Sequence, residues 1–156
     1  MPFATRRSVC MYHIVMTICL MIGINSAHAE SSSEALVPAI SDAIKKIEIK
    51  NSTAIRREYA YQLSHMIAEL PSDSIDNQTI IKLGALLEDQ DDLIVGWTAT
   101  SLGRIGPRAK HTIPALENAL KKIECIYGSV TSEPAIRLAL TKMGKNPPQR
   151  ECPVPE

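Results

Sequence analysis

No stretch of this chain alternates apolar and polar residues in the way a half-buried strand does, so a β-sheet architecture is not expected. Several chemical signatures are missing as well. There is no Gly-rich phosphate loop, no G-x-S-x-G turn, no H-E-x-x-H and no recognisable Ser-His-Asp set. Histidine is scarce. His65 and His111 are the only two beyond residue 30, and neither has a nearby third metal ligand in sequence. They read as satisfied or solvent-facing side chains. Charge of one sign is also missing. Lys and Arg number 17 and Asp and Glu 17, so nothing suggests a nucleic-acid footprint. Aromatic residues make up 4% of the chain, with one tryptophan, so any exposed ring is notable. These absences argue against an enzyme and against a cofactor.

Long apolar runs are limited to one. Val9 to Ile24 is almost wholly apolar, is preceded by Arg6 and Arg7, and is followed by Asn25-Ser26-Ala27-His28-Ala29. The run is short for a bilayer-spanning helix, which needs roughly 20 residues. Ala27 and Ala29 fit an A-x-A cleavage site, so residues 1–29 read as a Sec-type signal peptide cut between Ala29 and Glu30. The expected location is the periplasm, with secretion further out also compatible, and no stable membrane insertion is expected after cleavage. Losing Arg6 and Arg7 leaves 15 basic against 17 acidic residues, a net charge of −2.

Of four cysteines, Cys10 and Cys19 leave with the signal, and Cys125 and Cys152 remain. An even pair in an exported chain favours a disulfide. Closing that loop of about 28 residues would contribute roughly 3 kcal/mol in the chain-entropy picture. Two free thiols are the alternative. A metal site built on two cysteines alone has too few ligands.

What the chain does contain is helical spacing. Residues 34–47 carry Leu36, Ile40, Ile44 and Ile47, and residues 54–70 carry Ile55, Tyr59, Leu63, Met66, Ile67 and Leu70. Pro71-Ser72-Asp73-Ser74 stops the second run. Helices over 76–88, 93–105 and 110–122 follow, and a last one starts at a Thr131 or Ser132 cap and ends at Gly144. Gly106-Pro107 stops the 93–105 helix, and small residues at Ala99, Ser101 and Gly103 leave room for the next helix of the hairpin. The acidic run Glu88, Asp89, Asp91 and Asp92 lacks the spaced oxygens and central glycine of a calcium loop. It reads as a solvated turn with a helix cap. Arg104, Arg108, Lys110, Lys121 and Lys122 read first as cations near helix C-termini.

The runs repeat. Shifted by 39, residues 53–67 fall on 92–106, with Ile55 on Ile94, Ala60 on Ala99, Leu63 on Leu102 and Met66 on Ile105. Residues 139–144 fall on 101–106 with a shift of 38. A period near 40 in a helical chain suits stacked helix pairs. Within it, "DDLIVGWTATSLGRIGPRAKHTIPALENALKK" resembles a HEAT repeat of the short type also found in relatives of phycobilin lyases. Val95, Ala99, Leu102, Gly103, Ile105 and Gly106 match the first helix of that pattern, and Ile113, Pro114, Ala115, Leu116, Ala119 and Leu120 match the second. Gly96 stands where the pattern usually has a basic residue. The resemblance covers 89–122 well, 51–88 partly and 131–144 as half a repeat. It maps no catalytic residue onto this chain.

The resemblance implies an all-α fold, a short α-solenoid of stacked antiparallel helix pairs over residues 30–144. Residues 145–156 would form a proline-rich tail, pinned by the Cys125–Cys152 bridge over the end of the stack. It implies a non-enzymatic module that binds a protein partner. A periplasmic immunity or inhibitor protein, or an envelope structural component, are the alternatives. Tyr61 lies off the stripe of Tyr59 and Leu63 and is expected to be exposed, whereas Trp97 is expected in the core. Lys82, Glu117 and Lys121 are expected on an exposed face made by the second helices. These four, Tyr61, Lys82, Glu117 and Lys121, are the candidate partner-binding residues.

Overall fold

The computed structural model describes residues 35–49, 52–123 and 132–147, and among them there is no strand. The expected signal peptide and its Ala29–Glu30 junction, Cys125 and Cys152 with their expected bridge, and the tail from residue 148 lie outside the described residues. From Leu36 onward the described residues belong to one compact unit. Its helices are α1 (35–48), α2 (Thr53–Glu69), α3 (Asn77–Leu86), α4 (Asp92–Ile105), α5 (Ile113–Lys122) and α6 (Glu133–Lys142).

The helix ends follow from local chemistry. Asp76 precedes α3 and its carboxylate accepts the Thr79 N–H at 2.9 Å and the Thr79 hydroxyl at 2.8 Å. Asp91 caps α4, with Oδ1 accepting the N–H groups of Leu93 and Ile94 at 3.1 and 3.2 Å. Pro114 and Pro134 sit in the first turns of α5 and α6, where a missing N–H costs nothing. Gly106 ends α4 at φ 67°, a conformation that side chains other than glycine rarely adopt. The chain does not open into a loop there. It continues as a 3-10 helix over Gly106–Thr112, so α5 begins at Ile113, later than the apolar spacing predicts. Ser132 also departs from expectation. It occupies the N-cap position of α6, but its hydroxyl donates to Asp92 Oδ1 at 2.6 Å rather than capping its own helix.

Helix α4 organises the unit. Its most extensive contacts are with α2 and α6. The pairs Arg57–Asp91, Tyr61–Trp97 and Ser64–Arg104 advance together along α2 and α4, so these helices run parallel. Gly96 faces Ser132 and Gly103 faces Ala139, so α4 and α6 also run parallel. At Gly103 the approach is closest, since a Cβ built there would lie 3.0 Å from the Ala139 Cα. The small residue at Gly103 therefore serves the contact with α6, not the hairpin to α5.

Burial on α4 is correspondingly broad. Taking about 100° of turn per residue, its buried arc from Ser101 round to Gly103 spans about 200°. On α2 the arc from Leu63 to Ser64 spans only about 100° by the same measure. This difference breaks the equivalence of Ile55 and Ile94. Ile94 is fully buried, whereas Ile55 is 49% exposed, because α2 is covered over a narrower arc than α4. Leu102 and Leu116, on opposite sides of the Gly106 corner, are both fully buried in one core.

Candidate functional site

Two groups of side chains stand out on the surface, at different levels of α2. The first is ionic and lies at its N-terminal end. Arg56 Nε donates to the Ile47 carbonyl at 2.8 Å, which ties the end of α1 to the start of α2, and its Nη2 pairs with Asp89. Arg57 pairs with Asp91, its Nε and Nη2 each lying 2.9 Å from Oδ2. Asp92 reaches the other way, accepting the Ser132 N–H at 2.7 Å. The acidic run is thus a clamp. It caps α4, holds the first turn of α2 and receives the first turn of α6. The Asp91 cap is where the acidic run predicts it; the pairing of Arg56 and Arg57 with the run is not visible in the sequence. The two arginines meet Asp89 and Asp91 across 33 and 34 residues, a separation that no local pattern marks.

Beside this clamp is an open cleft of about 580 Å³ lined by Glu48, Arg56, Ala85, Leu86, Glu88, Asp89 and Gln90. Its one guanidinium is already engaged with Asp89 and the Ile47 carbonyl, which ties the end of α1 and the turn before α4 to α2.

The second group is aromatic. Tyr61 is 42% exposed, as expected from its place off the apolar stripe. His65, one turn along α2, brings its ring centroid to 4.4 Å from that of Tyr61. Trp97 of α4 meets Tyr61 edge to face, with centroids 5.1 Å apart and planes at 78°. Trp97 is therefore not enclosed by the core. It is half-buried, packed against the core on one side and against Tyr61 on the other. Leu93, a turn before Trp97, is exposed. Arg104, two turns after Trp97 on the same side of α4, is exposed and donates from Nη1 to the Ser64 carbonyl at 3.3 Å. His65 lies nine residues beyond Arg56, about 13 Å along the helix axis. It does not meet the acidic run.

The other sequence candidates are scattered. Lys82 is half-buried on α3, and Lys121 is exposed on α5. Glu117, also on α5, forms a solvent-facing ion pair with Lys145 at 3.7 Å. None of these three lies in the aromatic group. His111 is exposed in the 3-10 segment. Among the described residues no group of three or more His, Cys, Asp or Glu is placed to hold a metal ion. None of their helices is long and apolar enough to cross a membrane. Compared with known proteins, the chain matches no protein family, no curated protein and no solved structure.

Proposed function

We propose that this chain is an exported binding module, a short solenoid of HEAT-like helix pairs that docks a protein partner through the face shared by α2 and α4. The observation that carries this reading is the Tyr61–His65–Trp97 group. A chain this poor in aromatic residues places Tyr61 in ring contact with both His65 and Trp97 at its surface, across two helices that pack extensively against each other. Interface hot spots favour such rigid, amphipathic side chains. The parallel packing of α2, α4 and α6, with equivalent contacts recurring near 40 residues apart, supports the repeat architecture that would present this face. The A-x-A signal pattern supports the periplasm as the working compartment. The face made by α3 and α5 has no comparable group and is the secondary surface.

The test is affinity capture from the envelope fraction of the producing cell, using the chain exported from its own signal, followed by titration of the purified partner. The expected result is one stoichiometric partner, bound at micromolar affinity or better by the wild type and at least ten-fold more weakly by Tyr61→Ala. Equal binding by Tyr61→Ala would remove this face from the interface. A folded, monomeric chain that retains nothing would overturn the binding-module reading.

A further inference from the structure

We infer that the segment of the partner docking on this face carries a carboxylate beside an apolar side chain, and that Arg104 receives that carboxylate. The inference rests on the α2/α4 face being the docking surface. Three observations lead to it. Arg104 lies on the same side of α4 as Trp97, two turns further on, and its guanidinium reaches the carbonyl of Ser64, the residue next to His65. It therefore borders the aromatic group. Among the described residues Arg104 is also uncompensated: the arginines at 56, 57 and 137 each have a carboxylate partner, whereas Arg104 and Arg108 make no ion pair, and of these two only Arg104 borders the aromatic group. The two carboxylates nearest in sequence on α2 do not supply one. Glu58 accepts the Gln62 amide at 2.8 Å, and neither Glu58 nor Glu69 pairs with Arg104.

The third observation is what Arg104 leaves unused. A guanidinium has five N–H donors in a planar fork suited to a carboxylate. One long bond to a backbone carbonyl occupies little of it. The exposed ring of Tyr61, the half-buried ring of Trp97 and the exposed Leu93 side chain supply the apolar part of the surface. Trp, Tyr and Arg are the residue types most enriched where interface energy concentrates. A partner segment pairing Asp or Glu with a neighbouring leucine or aromatic side chain satisfies both halves of this surface. A basic segment would meet Arg104 unpaired, at a cost.

Trp97 is the only tryptophan in the chain, so its fluorescence reports this face directly. The experiment is selection from a displayed library of random peptides against the folded chain. Tyr61→Ala serves as the depletion control, and the enriched peptides are then titrated by Trp97 emission. The expected result is enrichment of peptides with Asp or Glu next to an apolar residue. Their affinity should fall about ten-fold in Arg104→Gln, recover partly in Arg104→Lys, and weaken as salt is raised. Thermal melting of both variants checks that the fold is kept. Enriched peptides that lack acidic residues, or that bind Arg104→Gln as well as wild type, would overturn the inference while leaving the docking face intact. No enrichment over the Tyr61→Ala control would overturn both.

Discussion

Asp76 shows how much a single side chain does at a helix start in this fold. Its carboxylate takes the backbone N–H and the hydroxyl of Thr79, and those bonds hold its carboxyl below its ordinary value of 3.8. The charged form is the one the fold favours. The stabilisation is therefore complete above the unfolded value and is lost as pH falls through the lower folded value. Asp76→Ala should cost about 1 kcal/mol at neutral pH, as the loss of a cap usually does. Asp76→Asn keeps an oxygen for the Thr79 N–H and should cost less. The distinguishing readout is acid. Urea unfolding from about pH 5 down to about pH 2 should show the gap between wild type and Asp76→Asn closing, because only the wild type loses a favoured charge. A gap constant across that range would mean that the cap bond does not depend on ionisation.

Between elements, the contact that matters most is α4 on α6, where two glycines a heptad apart behave differently. A Cβ at Gly96 would lie 3.6 Å from Ser132, an ordinary contact, while one at Gly103 would press on the Ala139 Cα at 3.0 Å. Both positions are helical, so alanine brings the same gain in helix propensity at each, about 1 kcal/mol at most. Gly96→Ala should therefore be neutral or stabilising. Gly103→Ala should be destabilising by about 1–3 kcal/mol, since the obstacle is backbone and cannot rotate away. Denaturant midpoints of the two variants measure the contrast, and equal shifts would show that α6 can slide. Sequence alone points Gly103 at the hairpin with α5, because helices adjacent in sequence are usually adjacent in space. Periodicity identifies which residues on a helix are apolar, and it located α2 and α4 to within a residue at each end. It does not identify which helix lies opposite. For the same reason Tyr61 was legible and Trp97 was not. Exposure of Tyr61 follows from its own angle on α2, whereas half-burial of Trp97 depends on how far α2 covers the flank of α4. The arginine clamp lay beyond local pattern altogether, because its partners meet across 33 and 34 residues.

At the scale of the whole molecule, the proposed stack predicts that damage should stay near where it is made. In a one-dimensional array each helix pair depends on its neighbours, whereas in a globular bundle the loss of any core contact is felt throughout. Leu102 of α4 and Leu140 of α6 are both fully buried, so truncating either to alanine should cost about 2–5 kcal/mol. Their reach should differ. α4 packs on both α2 and α6, so Leu102→Ala should speed amide exchange in all three helices. α6 is the last of the described helices, and its main contacts are with α4 and α5. Leu140→Ala should therefore speed exchange in α6, less in α4, and leave α1 and α2 protected as in the wild type. Native-state hydrogen exchange of the two variants separates the cases. If Leu140→Ala deprotects α2 as much as α6, the helices form one cooperative bundle and the solenoid reading fails. If protection falls off with distance along the stack, the Tyr61–Trp97 face keeps its geometry while the far end opens. Partner binding should then survive Leu140→Ala and be lost in Leu102→Ala.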